Sequence, residues 1–251
     1  MLRSIAVPTP SLRLLMVVCL GVALPVQAVE PPPPPPELKE LIERGGVTFD
    51  FYDPQQKKMS RPGLTQFVLT CNWEYRLSAE SRTRAGKTRV VVKPFGIQVT
   101  SRVEQTMLLP REMVDDAFWK KSLVLHEFDH VTVVADPRPR RLMQHMADKL
   151  RVVERTLERG QQPSDALHKE MINDELNARR QAITDLINRN HVLLDAQSQH
   201  GAVALPQRLK FFQDLYTKSN LTAAEFPYLS EVLDLLPTKA YSQPEPLRAK
   251  K

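Results

Sequence analysis

From Phe67 to Leu77 every second residue is apolar (Phe67, Leu69, Cys71, Trp73, Tyr75, Leu77), with Gln66, Thr70, Asn72, Glu74 and Arg76 interleaved. A period of two places the apolar set on one face of a β-strand, half-buried against a core. Such a strand needs partner strands and a covering layer to be stable. The Arg84-Ala85-Gly86-Lys87 stretch reads as a turn, and Arg89–Lys93 and Ile97–Val103 as further strands. Residues 47–109 therefore predict a small antiparallel sheet. Cys71 falls on its inward face, where a thiol acts as a small core residue rather than a reactive group.

The covering layer follows in the sequence. Pro110 is placed to open a helix, with Val114, Phe118, Leu125 and Phe128 near helical spacing. A second helix is expected from Arg141 to about Leu157, ending near Gly160. Ser164 is a helix-capping residue ahead of a long third helix reaching about Ala196. On that helix Ile172, Leu176, Ile183, Ile187 and Leu194 form one apolar stripe, which reads as core. Short helices are expected after Pro206, and a Pro- and Lys-rich tail from Gln243. Strands first and helices after them define an α+β fold.

The N-terminal residues belong to neither layer. Arg3 and Arg13 precede or flank the apolar run Leu14–Leu24, no acidic residue occurs before Glu30, and Val26 and Ala28 are small. This three-part pattern predicts a signal peptide cut after Ala28, and hence a periplasmic or secreted protein. Eleven apolar residues are too few for a bilayer span of about 20. The chain left after the cut keeps Cys71 as its one cysteine, so it can form no internal disulfide. Pro31–Pro36 predicts a stiff polyproline spacer. The expected division is 1–28 signal peptide, 29–46 spacer, 47–205 folded domain and 206–251 helical extension. A formal charge of +6 over 251 residues, with no basic stripe or recognisable module, argues against a nucleic-acid partner.

His126-Glu127-Phe128-Asp129-His130 is an H-E-x-x-H sequence. On a helix, residues four apart share a face, so both imidazoles can reach one ion, while Glu127 lies beside it as a general base. A catalytic zinc needs a third protein ligand and an open position. The downstream candidates are His145, His168, Glu175, His191, Asp195 and His200. His145 has many charged neighbours and reads as a solvated side chain. Glu175 would give the arrangement in which a glutamate on a later helix completes the site.

Leu109-Pro110, Trp119, His126-Glu127 with His130, and the stretch Leu194-Asp195-Ala196-Gln197-Ser198-Gln199-His200-Gly201 carry a resemblance. Over residues 47–205 the chain resembles the bacterial family of predicted secreted zinc-dependent proteases. That family has a β-rich first part, a Leu-Pro and a Trp before H-E-x-x-H, a long helix, and an aromatic-Asp-x-x-Thr-x-His-Gly signature. Leu194 replaces the aromatic residue and Ser198 the threonine. The resemblance implies Zn2+ held by His126, His130 and His200, with Asp195 as an orienting residue or the replacement third ligand. It also implies Glu127 as the acid/base acting on a protein or peptide substrate.

Three functions fit these observations: a zinc metallopeptidase, a non-catalytic zinc-binding envelope protein, and a metal-dependent amidase of cell-wall peptides. A turnover that depends on Glu127 separates enzyme from binder. Strand addition of the substrate to Ile97–Val103 is expected by analogy. His191 is the only oxyanion donor that the sequence suggests.

Overall fold

A computed structural model describes residues 29–242; the expected signal peptide and the tail after Ser242 lie outside the described residues. Helix α1 (Pro36–Gly45) starts with Pro36 in its first turn, so it occupies part of the stretch expected as a spacer. The proline run before it is held down, because the Trp119 indole N–H donates to the Pro32 carbonyl at 2.9 Å. Strand β1 (Val47–Tyr52) leads to a long hairpin of β2 (Leu64–Arg84) and β3 (Lys87–Pro110). Ala85 and Gly86, both left-handed, make the two-residue turn that suits the twist of a hairpin.

The expected strands at 89–93 and 97–103 are thus one continuous strand. A bulge opposite Tyr75 absorbs the register shift between Glu74 and Arg76. The sheet is mixed rather than purely antiparallel, because β1 runs parallel to β3 (Val47 beside Gln105, Tyr52 beside Pro110). The strand order is β1-β3-β2, with β4 (Val153–Leu157) pairing antiparallel with the start of β3. Since β1 and β4 share the same edge of β3, the outer edge of β2 is unpaired among the described residues.

Pro110 closes β3 instead of opening a helix, and two short 3-10 turns (Arg111–Met113 and Phe118–Lys120) follow it. Helix α2 (Ser122–Ala135) begins only after them. Helix α3 (Arg138–Lys149) ends where a helix to Leu157 was expected, and the chain returns as β4. Met146, Leu150, Val153 and Leu157 satisfy helical spacing, but Val153, Arg155 and Leu157 also alternate with Glu154 and Thr156, and pairing with β3 decides between the two patterns. Helix α4 (Asp165–Ser198) is capped as expected, the Ser164 hydroxyl accepting from the Leu167 N–H at 3.2 Å.

The architecture is α+β, with a four-stranded sheet and a helical layer. The inward face of β2 packs with the α4 stripe in the larger apolar cluster. The short helices α5 (Arg208–Asp214), α6 (Lys218–Ala223), α7 (Leu229–Val232) and α8 (Lys239–Ser242) join that cluster through Phe211, Leu221, Val232 and Tyr241. A smaller cluster holds α1, β1 and the 3-10 turns together. Helix α2 runs between the two, sending Val133 and Val134 into one and Val124, Phe128, Val131 and Ala135 into the other. No described helix is long and apolar enough to cross a membrane.

Candidate metal centre

Two helical i,i+4 pairs face each other: His126 and His130 on α2, and His191 and Asp195 on α4. Helix α2 has no side-chain cap; burial on both sides fixes it in place and points its polar face at α4. Three acceptor atoms converge there. His126 Nε2 and His130 Nε2 are 3.2 Å apart, and Asp195 Oδ1 lies 3.2 Å from the second and 3.3 Å from the first. Ligand atoms of a tetrahedral site with bonds of about 2.0–2.1 Å lie about 3.3–3.4 Å apart, so the triangle fits a small divalent ion. Two imidazoles and a carboxylate are a donor set that zinc and neighbouring transition metals accept.

Each converging group is oriented from behind. His130 Nδ1 meets His191 Nδ1 at 2.6 Å, and His126 Nδ1 meets the Ser198 hydroxyl at 3.3 Å. Ser198 in turn donates to the Leu194 carbonyl at 2.8 Å and accepts from the Gly201 N–H at 3.3 Å. The outer oxygen of Asp195, Oδ2, receives Arg61 Nη1 at 2.6 Å and lies 3.3 Å from His200 Nδ1. Such outer contacts fix ring orientation and tautomer, leaving the inner nitrogens free to bind.

Glu127 is buried beside this triangle. The Thr65 hydroxyl donates to Glu127 Oε2 at 2.6 Å, and Gly63 covers the other oxygen so closely that a Cβ there would lie 2.3 Å from Oε1. The first residues of β2 and the loop before it thus form the wall opposite α2. A cleft of about 670 Å³ between them is lined by Arg61, Thr65, Glu127, His130, Asp195 and His200, among others. Of the cleft-lining strands, the N-terminal stretch of β2 replaces the expected 97–103 segment. There the open edge of β3 is filled by Gln144, which accepts from the Val99 N–H and donates to the Ile97 carbonyl.

Burial dominates the electrostatics. Desolvation, aided by the charge of His130, pushes His126 down to about 4. The same two causes push His191 down to about 3. Both rings are therefore neutral near pH 7, the form that binds metal. Desolvation raises Glu127 against the opposing Thr65 hydrogen bond. For Asp195, burial acts upward, but His130 and Arg61 outweigh it and hold the carboxyl below the usual carboxylate range.

Of the residues singled out from the sequence, His126, Glu127, His130 and Asp195 come together. His200 sits at the rim with its side chain 54% exposed, outside the triangle and against the outer oxygen of Asp195. Glu175 pairs with Arg179 at 2.7 Å, and is about 30 Å along α4 from Asp195. His145 binds Asp234 at 2.9 Å on another face, and His168 lies near Asp165, three residues before it on α4. His191 contacts His130 through its Nδ1 and is also among the residues lining the cleft. Arg61, Thr65 and Gly63 are the site residues that sequence reasoning did not reach.

No family model, curated protein or solved structure matches this chain. The resemblance to secreted zinc-dependent proteases therefore rests on the residues themselves.

Proposed function

We propose that this protein is an exported zinc-dependent peptidase in which His126, His130 and Asp195 hold the ion. The observation that carries the reading is the triangle of acceptor atoms with 3.2–3.3 Å edges, adjoined by the buried carboxylate of Glu127. When bound, zinc supplies a Lewis acid that polarises a carbonyl and brings the proton loss of water near neutrality.

The chain's own groups do the rest. Glu127 accepts the proton of the attacking water and returns it to the leaving amine, acting as base and then acid. Thr65 holds the carboxylate in place by its hydrogen bond to Oε2. Ser198 and His191 hold the two imidazoles in the binding tautomer. The β2 wall and α2 keep a peptide between them, and the free edge of β2 offers backbone hydrogen bonds to an extended chain.

Zinc analysis after dialysis, followed by digestion of a broad peptide library and of peptidoglycan, tests this reading. One zinc per chain with cleavage of peptides supports it. Zinc without any cleavage favours a binding protein, and cleavage confined to peptidoglycan stem peptides favours an amidase. Export is tested by sequencing the N-terminus of protein recovered from the producing cell, where the account expects Val29.

A further inference from the structure

The cleft carries a cation that the peptidase chemistry above does not use. Arg61 lies in the loop leading into β2, its side chain 52% exposed and lining the cleft with Glu127 and Asp195. One nitrogen, Nη1, is tied to Asp195 Oδ2 at 2.6 Å. A guanidinium has five N–H donors in a planar fork, and no other acceptor among the described residues binds this one. Asp195 therefore holds the fork in place without using it up.

Charge counting gives the sign of what it meets. Apart from the histidines, the charged side chains lining the cleft are Arg61 against Glu127 and Asp195. A divalent ion in the triangle turns that small negative excess into a net positive one. A positive cleft with a half-free guanidinium favours an anionic group, and a carboxylate matches the fork with two parallel hydrogen bonds.

Building on the peptidase reading, we propose that Arg61 is the substrate-binding residue of the cleft and selects peptides bearing a carboxylate beside the bond presented to Glu127. That carboxylate comes from the peptide C-terminus or from an Asp or Glu side chain.

The test reads binding, so it does not require turnover. Full-length Glu127→Gln protein loaded with zinc is titrated calorimetrically with three N-acetylated peptides of one neutral sequence. The first ends in a free carboxylate, the second in an amide, and the third in an amide with one internal Glu. The expected result is that one or both carboxylate peptides bind about 10–100-fold tighter than the neutral amide. Arg61→Ala should erase that preference and Arg61→Lys should keep part of it, each variant being titrated at saturating zinc because loss of the Asp195 contact should itself lower zinc affinity by about 10–100-fold.

Which carboxylate peptide gains shows whether the chain end or the side chain is read. The proposal is overturned if no member binds, if the wild-type residue gives no preference, or if the preference survives Arg61→Ala. An equal loss of binding for all three peptides in zinc-saturated Arg61→Ala also overturns it, since Arg61 would then act only through Asp195. An Arg61-dependent preference in a protein that hydrolyses nothing refutes the peptidase reading alone. Glu127-dependent hydrolysis with no Arg61 effect refutes this proposal alone.

Discussion

Gly201 lies flat against the imidazole of His126: a Cβ at position 201 would come within 2.8 Å of His126 Cγ. Gln199, His200 and Gly201 are three consecutive left-handed residues (φ 49°, 55° and 81°), and they turn the chain back over α2 as α4 ends. The His-Gly pair noticed in the sequence thus has a packing reason. Gly201→Ala must strain the backbone and push the His126 ring, at a cost of about 1–3 kcal/mol. The account expects zinc affinity to fall about tenfold or more in chelator competition, with a lower Tm. Unchanged affinity would mean that Gly201 does not hold the ring.

Asp195 and His200 make different predictions although they touch. Asp195→Ala removes an atom of the triangle and should lower zinc affinity by more than about 100-fold. His200→Ala removes an outer contact and should cost about 10–100-fold at most. Chelator competition on both variants ranks them. A larger loss at His200 than at Asp195 would restore the arrangement expected from the sequence.

Much of this was legible beforehand, and the exceptions have physical causes. The H-E-x-x-H face, the period-two strand, the Ser164 cap and the α4 stripe are local patterns, and local geometry decides them. The role of Asp195 is also local in part, since its i,i+4 relation to His191 mirrors that of His126 to His130. Arg61 and Thr65 are different. They lie 134 and 62 residues from the carboxylates they bind, and only the path of the hairpin brings them there. Pro110 ends β3 instead of starting a helix because a proline suits the end of an edge pairing as well as the start of a helix. The stretch around Leu150 satisfied both periods, so tertiary pairing had to choose.

His191 predicts a pH dependence in the metal-free protein. Burial, with the charge of His130, puts it at about 3 in the folded chain, against 6.5 in a free side chain. The unfolded state then binds more protons below about 6.5, so this residue stabilises the fold least at acid pH. Its destabilising effect grows as pH falls from 6.5 toward 3. Buried Glu127 and Asp129, both raised chiefly by desolvation, act in the opposite sense, so total stability is not the clean readout. The comparison is between slopes: in chelator-treated protein, Tm should fall less from pH 7 to pH 4 in His191→Phe than in wild type. Equal falls would mean that His191 is not held neutral.

The central claim is that Glu127 transfers the proton while the triangle holds the metal. Turnover of Glu127→Gln, measured beside its zinc content, tests this most directly. Glutamine keeps the size of the side chain and can still accept the Thr65 hydroxyl, but it cannot take a proton from water. The account predicts one zinc per chain, a Tm at or near that of wild type, and peptide hydrolysis lowered by at least about 10²–10⁴-fold. Hydrolysis at the wild-type rate by fully zinc-loaded Glu127→Gln protein would contradict it.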